Sequence, residues 1–190
     1  MKKINLIELI IDEVDDEHQF GVDIMSLVKS PAMDEHFLMF NSQKKETKNH
    51  YQLAKTNDEK RIITGAALIP NKSIFRRDEL TGEEFYVYFT KQTVQKIVEK
   101  FFIQNKQSNV NLEHQTSLED LTIIESWIVT DSDNDKSNAL GLKAPVGTWM
   151  ISMKINNNDV WEKYIKKGAV SGFSIEGFFT EKFSKAAKSN

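Results

Sequence analysis

The segment AVSGFSIEGFF (169–179) sets Ser174 in the middle of an otherwise apolar run, between Gly172 and Gly177. Serines in strands are frequent and usually mean a small side chain or a local hydrogen bond. Here Gly172 lets another backbone approach closely and Gly177 permits a bulge or bend, so the hydroxyl could be presented at a groove. The stretch is not a nucleophile elbow, because G-x-S-x-G needs glycine where Glu176 stands and no helix follows, which argues against an α/β-hydrolase. Among the four histidines, His18 and His36 lie in acidic DEH contexts and His50 lies in a polar stretch. His114 differs. It ends the apolar segment VNLEH just before the polar turn QTSLED, and side chains at strand ends facing a groove are well placed for acid–base chemistry. The plainer alternative is a turn histidine bonded to nearby backbone. Two metal patterns fail: DSDNDKSNALGL (131–142) begins like a calcium loop with Asp131, Asp133 and Asp135, but has Lys136 at its sixth position and Leu142 at its twelfth. Glu113–His114 alone cannot build a zinc site.

The elements that must position these residues are mostly strands. INLIELII (4–11), GVDIMSLV (21–28), HFLMF (36–40), RIITGAALIP (61–70) and EEFYVYFT (83–90) are β-rich or alternating. Further strands are expected at NVNLEH (109–114), LTIIESWIV (121–129), GTWMISMKI (147–155) and AVSGFSIEGFFTEKF (169–183). In TKQTVQKIVEKFFIQN, Val94, Ile97, Val98, Phe101 and Phe102 follow the spacing of an amphipathic helix, with Thr90 as its N-cap. A shorter helix over 157–167 carries Val160, Trp161, Tyr164 and Ile165 on one side and stops at Gly168. Residues 41–60, lysine-rich, polar and aperiodic, predict a mobile surface insertion. The expected class is α+β: a β-dominated barrel, closed or nearly closed, with a few helices outside it.

A chain of 190 residues can bury a core without disulfides or metal, and the absence of cysteine excludes thiolate chemistry. The net charge of −3 gives no polybasic signal for nucleic acid or anionic membrane. No apolar run approaches a membrane span, and the N-terminus turns acidic where a signal peptide would need small residues, so a soluble, non-secreted protein is expected.

Taken in order, the β region, GAALIPNKSIFRR, the amphipathic helix, a strand ending in NLEH, ESWIV, GTWMISMKI, the short helix and then KKGAVSGFSIEG resemble the prohead maturation proteases of tailed phages. Over roughly residues 61–180 the chain looks like the XkdF-like branch of phage serine peptidases, through ESWIV, GTWMISMKI and VSGFSIEGFF. That resemblance implies one prohead-protease-like domain over 1–190 with a herpesvirus-assemblin-like fold, a β-barrel surrounded by helices. It implies a serine endopeptidase with Ser174 as nucleophile and His114 as general base. The third member would be an acid. Glu176 shares a strand face with Ser174, while Glu125 lies in an apolar strand and needs a partner for its charge; both stay open, with Glu125 slightly ahead. No cofactor or metal is implied. The partners would be phage scaffold and major capsid protein as substrates, with a homo-oligomer allowed and neither nucleic acid nor membrane. The place of action would be the host cytoplasm, inside the assembling prohead. The competing readings are a catalytically inert scaffold-associated capsid protein of the same fold and a β-rich binding module.

Overall fold

The computed structural model describes residues 5–11, 20–33, 60–78 and 80–182. The expected strand at 36–40 lies outside them, as does the polar insertion apart from Lys60.

Eleven strands are present among the described residues, in the order β1 (Asn5–Ile10), β2 (Gly21–Val28), β3 (Ile62–Leu68), β4 (Ile74–Arg77), β5 (Glu84–Tyr88), β6 (Val110–Leu112), β7 (Thr116–Leu118), β8 (Leu121–Ile128), β9 (Trp149–Ile155), β10 (Gly172–Phe178) and β11 (Thr180–Glu181). They form three sheets, ordered β11-β1-β5-β4, β10-β2-β6-β7 and β3-β9-β8. The protein is therefore a β-dominated α+β protein with few helices. The expected ring closure does not appear in the ladders of the described residues: β10 runs beside β3 with no hydrogen-bonded ladder between them.

The principal helix, α1 (Lys91–Ile103), follows the apolar pattern of its sequence. The Thr90 hydroxyl accepts from Thr93 N at 3.3 Å, which satisfies one of the N–H groups left over at the helix start. Val94, Ile97 and Phe101 are fully buried, and the Phe101 ring meets Trp149 of β9 edge-on, 5.3 Å between centroids. The helix is capped at Gln104 and followed by Asn105, which takes φ +56° while Asn105 N donates to Phe102 O and Lys106 N to Phe101 O. This pair of bonds closes the last turn with asparagine in the role glycine more often fills. Among the described residues two short helices follow, α2 (Lys136–Ala139), within the segment whose calcium-loop pattern fails, and α3 (Asn158–Val160), which continues as a π-helical turn over Trp161–Ile165. Gly168, at φ +64°, ends that second helix as expected.

One apolar cluster holds the sheets together and contains Trp149, Trp161, Phe101 and Phe173. The middle sheet hangs on it by one face. Met25 and Leu27 of β2 and Phe173 of β10 are buried to 2% exposure or less, and Val110 of β6 is buried beside them. Because side chains alternate, a one-residue slip in any of these strands would turn those groups away from the core. The opposite face is fixed by the same register: Ser174 pairs with Ser26, and Ser26 with Asn111.

Candidate active site

Three strands of the middle sheet each bring a polar side chain to the face away from Met25, Leu27 and Phe173. They are Ser26 from β2, Asn111 from β6, and Ser174 with Glu176 from β10. Such a row needs mutual hydrogen bonds if it is not to destabilise the sheet.

His114 joins the row from the turn between β6 and β7. The strand ends at Leu112, two residues earlier than the sequence suggests, and Gln115 N donates to Leu112 O across a tight turn. Both central residues take positive φ, +52° at Glu113 and +58° at His114. Neither is a glycine or asparagine, so the turn is strained by about 1–2 kcal/mol per residue. Glu113 holds it in place. Its backbone N donates to Leu27 O at 3.0 Å, and its carboxylate accepts from Lys29 N at 2.6 Å, tying the turn to the end of β2.

The His114 ring therefore lies over Ser26 and Glu176. Nδ1 is 3.0 Å from Glu176 Oε1 and 3.0 Å from Ser26 Oγ, and the Ser26 hydroxyl donates to Glu176 Oε1 at 2.8 Å. The Asn111 amide donates to the same carboxylate oxygen. Burial pushes the Glu176 carboxyl up, but the bonds from Ser26, Asn111 and His114, with the charge of the protonated ring, outweigh it and hold the group below the usual carboxylate range. An ionised oxygen 3.0 Å from Nδ1 requires that nitrogen to carry a proton, since two lone pairs would repel. In the neutral ring Nε2 is then the nitrogen with a free lone pair.

Glu125 does not reach this site. It lies on β8 in a different sheet, where Lys136 donates to both its oxygens and Ser152 Oγ donates to Oε2 at 2.7 Å. Burial raises its carboxyl, and those donors more than offset the rise. The partner an acid in an apolar strand requires is thus Lys136, whose ammonium also sits 5.1 Å from the Trp127 ring centre. Of the two acids weighed from the sequence, the structure brings Glu176 to His114 and leaves Glu125 elsewhere.

Ser174 is 7% exposed and lies directly across the ladder from Ser26, one strand further from His114. No hydrogen bond links the two among the described residues. A cleft of about 520 Å³ has Asp23, Arg76, Ser174 and Glu176 in its wall, and a groove of about 360 Å³ has Asn111, His114 and Glu176. Glu176 lines both. A further hollow between Ala66–Lys72 and Leu142–Pro145 has no serine, histidine or acid in its wall.

The bend at the end of β10 follows directly after the acid. The register shifts between Glu176 and Gly177, and a Cβ on Gly177 would fall 1.9 Å from the Gly21 carbonyl oxygen. Gly177 is therefore a close-approach glycine as well as a bulge, and it sets the strand path that aims Glu176. Ser26 and Asn111 are the site residues that sequence reading missed. The available signal was a polar residue inside each of two otherwise apolar strands, Ser26 (with Asp23) in GVDIMSLV and Asn111 in VNL, the same kind of anomaly that singled out Ser174.

No curated protein and no solved structure matches the chain. A family model described as "Putative phage serine protease XkdF" matches residues 49–182, well over half of the length. The matched region includes His114, Ser174 and both acids, and the chain belongs to this XkdF family of phage serine proteases.

Proposed function

We propose that the chain is a serine endopeptidase that cleaves scaffold and capsid propeptides during maturation of a phage prohead. Ser174 is the nucleophile, His114 the general base and Glu176 the orienting acid. The observation that carries this reading is the 3.0 Å contact between His114 Nδ1 and Glu176 Oε1, with Ser174 two residues before the acid on the same strand face. Glu176 holds the ring with Nε2 as the basic nitrogen. That nitrogen takes the Ser174 proton as Oγ attacks the scissile carbonyl, and the resulting imidazolium gives it to the leaving amine as the C–N bond breaks. Water then hydrolyses the acyl-enzyme by the same route. Backbone N–H groups around KGAVSG (167–172) are the proposed oxyanion donors. Substrate binding draws Ser174 and Nε2 into bonding distance, because such contacts commonly tighten only in the complex.

The setting we propose is the host cytoplasm, inside the assembling prohead, with an assemblin-like barrel arrangement of the sheets over a single domain. A homo-oligomer is compatible with it. One observation favours the second reading, an inert scaffold-associated capsid protein: the hydroxyl that touches His114 belongs to Ser26, not Ser174. The test is cleavage of co-expressed scaffold and capsid protein by wild type, Ser174→Ala and His114→Ala. The peptidase reading expects processing by wild type and loss above a hundredfold in each variant, with unchanged Tm and a double variant hardly worse than either single one. No processing by wild type would leave the inert reading standing, and processing by Ser174→Ala at the wild-type rate would refute Ser174 as the nucleophile.

A further inference from the structure

We infer that Ser26 and Asn111 are positioning residues, a two-donor clamp that fixes the Glu176 carboxylate against His114 Nδ1; the inference rests on the peptidase reading for its kinetic consequence only. Ser26 is the hydroxyl nearest the imidazole, so it must first be weighed as a nucleophile. Its surroundings argue against that role. Ser26 is completely buried, so a peptide carbonyl cannot reach it. It also meets the ring at Nδ1, the nitrogen already committed to Glu176 Oε1 at 3.0 Å. With a proton on Nδ1 there is no lone pair there to accept from Ser26, and its single proton goes to the carboxylate at 2.8 Å.

Asn111 completes the clamp from the other side. Its amide N–H donates to the same oxygen, while its own carbonyl oxygen is buried with no partner among the described residues. An apolar residue between Val110 and Leu112 would avoid that unsatisfied group, so the amide is explained by what it does for Glu176. The ladder supplies the rigidity: Ser26 pairs with Asn111 across β2 and β6, and both strands are anchored by Met25, Leu27 and Val110 in the core. Three donors thus converge on one carboxylate oxygen from two chain segments, β2 and the continuous stretch of β6 and its turn. Together they keep the acid ionised and the ring in one tautomer.

The test begins with the wild-type protein, by nitrogen-15 NMR of its histidines and carbon-13 titration of the Glu176 carboxyl. The expected result is a His114 ring protonated at Nδ1 and a Glu176 midpoint below that of an ordinary glutamate. A bare Nδ1 facing Ser26 would overturn the clamp, and this readout needs no variant to fold. In Ser26→Ala the Glu176 midpoint should move up, kcat on a scaffold substrate should fall about tenfold with little change in KM, and the acid limb of the pH profile should shift to higher pH. Ser26→Thr, which restores the hydroxyl, should recover most of the loss. An unmoved midpoint and unmoved pH profile in a folded Ser26→Ala would refute the clamp while leaving the peptidase reading intact. The expected NMR behaviour in a protein that cleaves no substrate would refute the peptidase reading and leave the clamp intact.

Discussion

Replacing Glu176 by glutamine keeps the shape of the side chain and removes its charge. In the proposed reaction the imidazolium formed at His114 sits with Nδ1 3.0 Å from Oε1, a pair worth ~1.4 kcal/mol in a water-like medium and ~5.5 kcal/mol at an effective dielectric constant of 20. The His114 and Glu176 side chains are 42% and 33% exposed, so solvent screens the pair and the value lies in the lower part of that range. A loss of ~2–3 kcal/mol from the transition state corresponds to a fall in kcat of roughly 30- to 150-fold. The amide can still accept from Ser26 and Asn111 through its oxygen, so the fold should survive and Tm should change little. Glu125→Gln serves as the control, since its carboxylate faces Lys136 and Ser152 in another sheet; it should leave kcat within about twofold, with any penalty appearing in Tm. Steady-state cleavage of a purified scaffold substrate, with thermal melts of all three proteins, measures both. Near-wild-type kcat in Glu176→Gln combined with a tenfold or larger loss in Glu125→Gln would refute the assignment of the acid.

Two further outcomes follow from the same contacts. Gly177→Ala forces a Cβ to within 1.9 Å of the Gly21 carbonyl oxygen; the strand must move, at a cost of about 1–3 kcal/mol, and Tm should fall by roughly 5 °C together with activity, whereas an unchanged melt would contradict the close packing at the bulge. Glu176, Glu125 and Asp135 are all held below the usual carboxylate range, so each adds stability that is complete above an ordinary carboxyl pKa of about 4 and is lost as pH falls through the lower folded value. Tm should be flat from neutrality to about pH 5 and then decline; a Tm that rises on acidification below that point would contradict the sign.

Local signals were legible in the sequence, and long-range pairing was not. GVDIMSLV is β2 residue for residue, and α1 starts at the cap its threonine advertises, because strand alternation and helix capping depend on neighbours a few positions away. Two strands went unread, β4 and β7, which are too short to show an alternation of their own and owe their existence to the partners they pair with. The turn that carries His114 was legible only as the plainer alternative for that residue, and its exact position was not, since its positive φ values fall on Glu113 and His114 instead of glycine or asparagine. Ser174, His114 and Glu176 were each visible as candidates. The choice between Glu176 and Glu125 was not, because it depends on which sheet each strand joins, and on Lys136 of α2 being within reach of Glu125. Ser26 escaped for the same reason: a buried serine is ordinary until the register sets it beside Glu176 and under an imidazole.

The central claim, that Ser174 is an activated nucleophile, is tested most directly by reacting the native protein with a serine-directed fluorophosphonate and locating the adduct by peptide mass spectrometry. The expected result is a single adduct on Ser174, lost in His114→Ala and retained, at a reduced rate, in Ser26→Ala. An adduct on Ser26 or Ser152, or none in a preparation that is cleaving scaffold, would contradict it.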